Sequence, residues 1–174
     1  MSRQEQAALM AWLNSFNPSR SVTTFGQLSD GRLLMEPSDG TYFKSDFVHG
    51  ASGPSSNSWE RRVFEGNTLK GLYHLLHAFP VPLPHHPLST TSLSEPSFST
   101  IADAPDSPEG SEGLVQIARM CLVVAVWAPG NERVVEKIQG LGETHMGYLM
   151  KSIETVSYKL RRKSLTEDHG HAGA

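Results

Sequence analysis

Side chains capable of metal or acid–base chemistry are badly placed for it in this chain. His74 and His77 stand three apart, and His85-His86 follow. Paired imidazoles at that spacing can share a helix face and begin a metal site. A usable site needs further carboxylates or thiolates at ligand spacing, and none joins them. Solvated or partly buried imidazoles are the expected state, with no metal and no cofactor. The paired acids Glu167-Asp168 fall in a polar tail. No Gly-x-Ser-x-Gly elbow, P-loop or Gly-x-Gly-x-x-Gly turn occurs. No set of residues supports catalysis, and the expectation is a protein that is not an enzyme.

Two other patterns carry more information. Met146, Leu149, Met150 and Ile153 recur at i, i+3, i+4 and i+7, followed by Val156 and Leu160. That stripe either packs on a core or lines a groove for a partner helix, since flexible, polarizable Met side chains suit such grooves. Leu149 is the member expected in the core. Farther on, Arg161-Arg162-Lys163 complements the negative end of a helix dipole. With Ser164 it also has the form of a basophilic-kinase site, making Ser164 a candidate phosphorylation site.

The elements around these patterns read as helices. Leu9, Trp12, Leu13 and Phe16 share one face of a first helix. Ser2 and Glu5 form a capping box at its start, in which the carboxylate reaches back to the backbone. Asn17-Pro18 ends it. Thr24 with Gln27 repeats the capping pattern before a short turn. Asp30 then caps a helix through Arg32–Met35, stopped by Pro37. Tyr42, Phe43 and Phe47 are expected to plug back into the core, and Gly50–Ser58 reads as loop. Trp59, Val63, Leu69, Leu72, Tyr73, Leu76 and Phe79 follow helical spacing, weakened by Gly66 and Gly71 at about 1 kcal/mol each relative to Ala.

Seven of the eleven prolines fall between Pro80 and Gly113. That composition predicts a disordered surface insertion, with a short ordered piece around Phe98–Ala102. Leu114, Ile117, Ala118, Cys121, Leu122 and Ala125 give the strongest helical pattern. Apolar Met120, Val123, Val124 and Val126 fill its other faces, so this is the expected central helix, buried all round. Pro129-Gly130 breaks it. Asn131 caps a helix carrying Val134, Val135, Ile138 and Leu141. A last helix runs from Glu143 to about Lys163, and residues 164–174 are expected to be a disordered tail. No strand alternation or internal repeat is present.

Composition narrows the class further. The 174 residues suit one domain with a sizeable core, at 38% hydrophobic residues and a mean hydropathy of -0.32. A net charge of -3 and a pI near 6.2 do not favour nucleic acid as a partner. The single cysteine, Cys121, excludes an internal disulfide. Met1–Gln6 lacks the apolar core of a signal peptide, and the longest apolar run, Met120–Ala128, is too short to span a bilayer. The expected location is the cytoplasm.

Several local words, in order, resemble one family. Leu9-Met10-Ala11-Trp12-Leu13-Asn14-Ser15-Phe16-Asn17 is similar to the first helix of the Hook domain, the calponin-homology-like N-terminal module of the Hook family of dynein and microtubule adaptors. Leu28-Ser29-Asp30-Gly31 resembles that family's Leu-x-Asp/Asn-Gly turn, and Tyr42-Phe43 its Tyr-Phe. Trp59 followed by Asn67, Leu69 and Lys70 resembles its Trp-then-Asn-Leu-Lys helix. Ile101-Ala102, then Leu114–Trp127, resembles its buried late helix. The likeness covers about Glu5–Leu160 apart from the proline-rich segment. Met35-Glu36-Pro37 departs from it, arriving about one turn early.

The resemblance implies an all-α, calponin-homology-like helical bundle with an additional C-terminal helix, spanning residues 1–163. It implies a non-enzymatic adaptor, associated with the cytoskeleton and acting in microtubule-based cargo transport. Its added helix lines a groove for a helix of the dynein light intermediate chain, placing partner contacts on Met146, Met150 and Ile153. The family has a glutamine where this chain has Met146. Hook proteins continue into a long coiled coil. This chain does not, so it is either a fragment or a shortened relative, and as it stands it is expected to be a monomer that binds without activating the motor. Two alternatives stand beside this reading: a module binding microtubules or actin directly, and an unrelated helical enzyme.

Overall fold

The computed structural model describes residues 2–16, 21–35, 68–77, 94–128 and 130–167. Among these, every regular element is a helix. The first, α1, is Arg3–Asn14. Ser2 caps it, its hydroxyl accepting from the Glu5 N–H at 3.2 Å. The reciprocal half of the expected capping box is not made, because the Glu5 carboxylate is engaged elsewhere. Ala8, Leu9, Trp12 and Leu13 face the interior, and Trp12 meets Phe16 edge to face at 5.5 Å.

Asn14 turns the following chain back over α1. Its amide donates to the Val22 carbonyl at 2.8 Å, and its oxygen accepts from the Val22 N–H at 2.7 Å. A 3-10 turn, Phe25–Leu28, follows, with Phe25 and Leu28 buried. Here the expected capping by Gln27 is present: its side-chain oxygen accepts from the Thr23 and Thr24 N–H groups at 2.7 and 3.3 Å. Gly31, at φ 74°, supplies the left-handed residue leading into α2, Arg32–Met35. The expected contributions of Tyr42, Phe43, Phe47, Trp59, Val63 and Phe79 lie outside the described residues. Helix α3, Thr68–His77, buries Leu69, Leu72, Tyr73 and Leu76.

The proline-rich segment is ordered over more of its length than its composition predicts. Residues 80–93 lie outside the described part. From residue 94 onward the chain packs, so the expected insertion does not extend to Gly113. Helix α4, Phe98–Asp103, is capped by Ser97, which accepts from the Thr100 N–H at 3.3 Å. Phe98 meets Tyr73 edge to face at 5.6 Å, and Ile101 is buried. The central helix α5, Pro108–Trp127, begins six residues before the expected Leu114. Ser107 caps it, accepting from the Gly110 N–H at 3.1 Å. Pro108 occupies the first turn, where a missing N–H costs nothing. A proline taken as a sign of disorder is here a helix start. Gly110 is required by packing, since a Cβ there would run into the Ala104 carbonyl.

From Leu114 to Val124, α5 is buried on almost every side: Leu114, Ile117, Ala118, Met120, Leu122 and Val123 are each 0% exposed. By length and composition this 20-residue helix would suffice to cross a bilayer: an 18-residue window of it has a mean hydropathy of 1.3, and 67% of that window is buried within the protein. Asn131 stands at the N-cap of α6, Glu132–Gly140, but makes no side-chain cap bond. Its amide instead donates back to the Val126 carbonyl, fastening α6 to the end of α5. Val134 and Ile138 are buried, while Val135 and Leu141 are only partly so. Gly142, at φ 83°, makes the joint to α7, Glu143–Glu167, four residues longer than expected. Residues 164–167, expected to belong to a disordered tail, are thus helical. The most extensive helix pairing among the described residues joins α1 and α7.

Candidate functional site

The candidate site lies on α7, so its geometry begins with what fixes that helix. At its start, His145 Nδ1 lies 3.2 Å from the Leu141 carbonyl and serves as donor to it. One turn further, Leu149 is 0% exposed. Ser152 and Ser157 are buried as well, and each has a polar partner on another helix. The Ser152 hydroxyl donates to Glu5 Oε1 at 2.7 Å. The Ser157 hydroxyl accepts from Trp127 Nε1 at 3.1 Å. Buried hydroxyls satisfied in this way define the rotation of α7 about its axis more sharply than apolar contact alone.

Glu5 is the centre of the stronger fixture. The same Oε1 accepts from Arg119 Nη2, forming an ion pair whose side chains are 23% (Arg119) and 18% (Glu5) exposed. Three helices therefore converge on one carboxylate: α1 supplies it, α5 the guanidinium and α7 the hydroxyl. Burial alone would raise the Glu5 pKa. Hydrogen bonds from Ser152 and Arg119 and the guanidinium charge outweigh it, so the carboxyl lies below its ordinary value of 4.5. The sign of the linkage follows. With the folded pKa below the unfolded one, this stabilisation is complete above about pH 4.5 and is lost as pH falls through the folded value. Glu5→Gln is expected to remove that part of the acid sensitivity. In urea titrations from pH 7 to pH 3, the stability gap between wild type and variant should close at the acid end. A gap independent of pH would show that the carboxylate's charge is not what matters.

With α7 oriented, the apolar stripe divides. Leu149, Ile153 and Val156 point inward, with Ile153 only 5% and Val156 3% exposed. Met146 sits at the edge, partly buried against the core. Met150 points out at 54% exposure, the exposed large hydrophobic residue of the described structure. Gly147 is exposed, and a Cβ built on it would meet nothing within 4 Å. The structure thus keeps Met146 and Met150 at an accessible margin of α7 and places Ile153 in the core. Leu149 is the core member that its position in the stripe implied.

The chemistry-bearing residues remain dispersed. Among the described residues no three of His, Cys, Asp or Glu are grouped to hold a metal ion. His74 is exposed and His77 partly buried, while His85-His86 lie outside the described residues. The Cys121 thiol is pushed well above its usual range by complete burial, which leaves it inert as a nucleophile. Burial, with Glu95 adding to it, also raises the Tyr73 hydroxyl.

Neither the Glu5–Arg119–Ser152 junction nor the Trp127–Ser157 bond was anticipated. One signal for the first was available: Arg119 is the lone charge in the apolar run from Leu114 to Trp127. A cation on a buried helix calls for a carboxylate. No family model matches the chain, and neither a curated protein nor a solved structure matches it.

Proposed function

We propose that this chain is a non-enzymatic adaptor domain with a calponin-homology-like arrangement and an added last helix. Its role is to dock a helix of the dynein light intermediate chain in microtubule-based transport in the cytoplasm. The resemblance of the ordered words from Leu9 to Trp127 motivates the family. The observation that carries the site is the exposure of Met150 at 54%, beside open space at Gly147 and the half-covered Met146. A large apolar side chain held in water on a well-anchored helix gains by meeting an apolar partner. The thioether chain adapts to the shape it meets. Met146 and Met150 make the contact in this reading, while Ile153 supports them from beneath.

Titration of a fluorescent peptide of that light-intermediate-chain helix tests the proposal. Binding in the micromolar range is expected, worth about 8 kcal/mol. Met150→Glu should weaken it by at least about tenfold, through a charge buried in an apolar contact. The thermal midpoint should hold, because the side chain is exposed. Failure of the wild-type chain to bind the peptide saturably would refute the proposal. If the chain then pelleted with microtubules or actin, direct cytoskeletal binding would replace it.

A further inference from the structure

The basic run near the end of α7 plays no part in the adaptor reading. Residues 158–167 carry Lys159, Arg161, Arg162 and Lys163 against the single acid Glu167, in a chain whose net charge is -3. Ser164 is the only Ser or Thr of the chain with Arg at both the third and the second preceding positions, and Leu165 follows it. Thr23 has only Arg20 at the third position. Two guanidiniums at fixed distances before a hydroxyl are what an acid-lined kinase cleft reads, each able to pair bidentately with a carboxylate.

The helix carries this motif past the last side chain described as buried. The last side chain described as buried is Ser157. The helix continues from there to Glu167, which puts Ser164 seven residues, or about 10 Å, beyond it. Ser164 opens the final turn, whose four carbonyls have no partner within the helix. Unwinding such a turn into the extended form a kinase binds costs little free energy.

We propose that Ser164 is a phosphoryl acceptor for a basophilic protein kinase, and that the modification leaves the last turn of α7 unwound. The Ser164 oxygen attacks the γ-phosphorus of a nucleoside triphosphate. The bond from that phosphorus to the bridging oxygen breaks, the nucleoside diphosphate leaves, and the hydroxyl proton passes to the kinase's base. The product carries close to two negative charges beside carbonyls that already hold the negative end of the dipole. The charge of Arg161, about one turn earlier, offsets part of this. The phosphate also neutralises much of the basic run, so any acidic surface held there is released.

The test incubates the full chain with the catalytic subunit of cyclic-AMP-dependent protein kinase and ATP, and locates phosphate by mass spectrometry of peptides. One phosphate on Ser164 is expected, absent in Ser164→Ala. Arg161→Ala with Arg162→Ala should reduce kcat/KM at least about tenfold, the effect of losing a charge-assisted pair. No incorporation, or incorporation mainly at another residue, overturns the site. Backbone amides of residues 161–167 should exchange about two- to fivefold faster in the phosphorylated chain, the range for one charge opposing a helix dipole. Unchanged or slower exchange overturns the unwinding.

Discussion

Ile153→Asp is expected to destabilise the domain by on the order of 4 kcal/mol or more, the scale for an unpaired charge in an interior. Ile153 is 5% exposed and joins the same core as Leu149 and Val156. An aspartate there either ionises without a partner or remains protonated with its polar atoms unmatched. The resemblance to the Hook domain implies instead a groove position at Ile153, whose loss would remove binding and spare the fold. The structure reverses that order: the fold is lost first. Far-UV circular dichroism and a thermal melt decide it, with Met150→Glu as the control that should melt like wild type. An Ile153→Asp variant with an unchanged midpoint would mean that α7 does not pack as described.

Leu122→Ala should lower stability by about 2–5 kcal/mol. Leu122 is 0% exposed, at a level of α5 where Cys121 and Val123 are also buried. The loss therefore combines the transfer free energy of the missing atoms with a cavity term. Against a total typically about 5–15 kcal/mol, that is a large share. Urea unfolding should show a lower midpoint with an unchanged slope. A change under about 1 kcal/mol would place α5 at the periphery.

Helix identity was legible wherever local pattern decides it. Leu9, Trp12 and Leu13 on α1, the apolar circumference of α5, and the pair Val134 and Ile138 on α6 all lie where their periodicity puts them. Misreadings arose where one residue type serves two purposes. Pro108 and Ser107 read as loop composition and act as a helix start. Glu5 has the spacing of a capping carboxylate, yet it pairs with Arg119, 114 residues away. Asn131 holds the capping position and turns its amide backward instead.

The candidate site was legible only in part. Spacing gave the stripe from Met146 to Ile153. It could not give the rotation of α7, which Ser152 and Ser157 fix through partners on other helices. That rotation decides which of the three proposed contact residues meets solvent.

The pairing of α1 with α7 bears on how the protein is made. Glu5 and Ser152 meet across 147 residues of sequence. At about 5–20 residues per second, a ribosome needs roughly 7–30 s to span that interval. Throughout it α1 lacks the helix with which it pairs most extensively among the described residues. Nascent chains should therefore engage general chaperones through this N-terminal helix, and release should follow emergence of α7. The junction closes the fold only once α7 has been made.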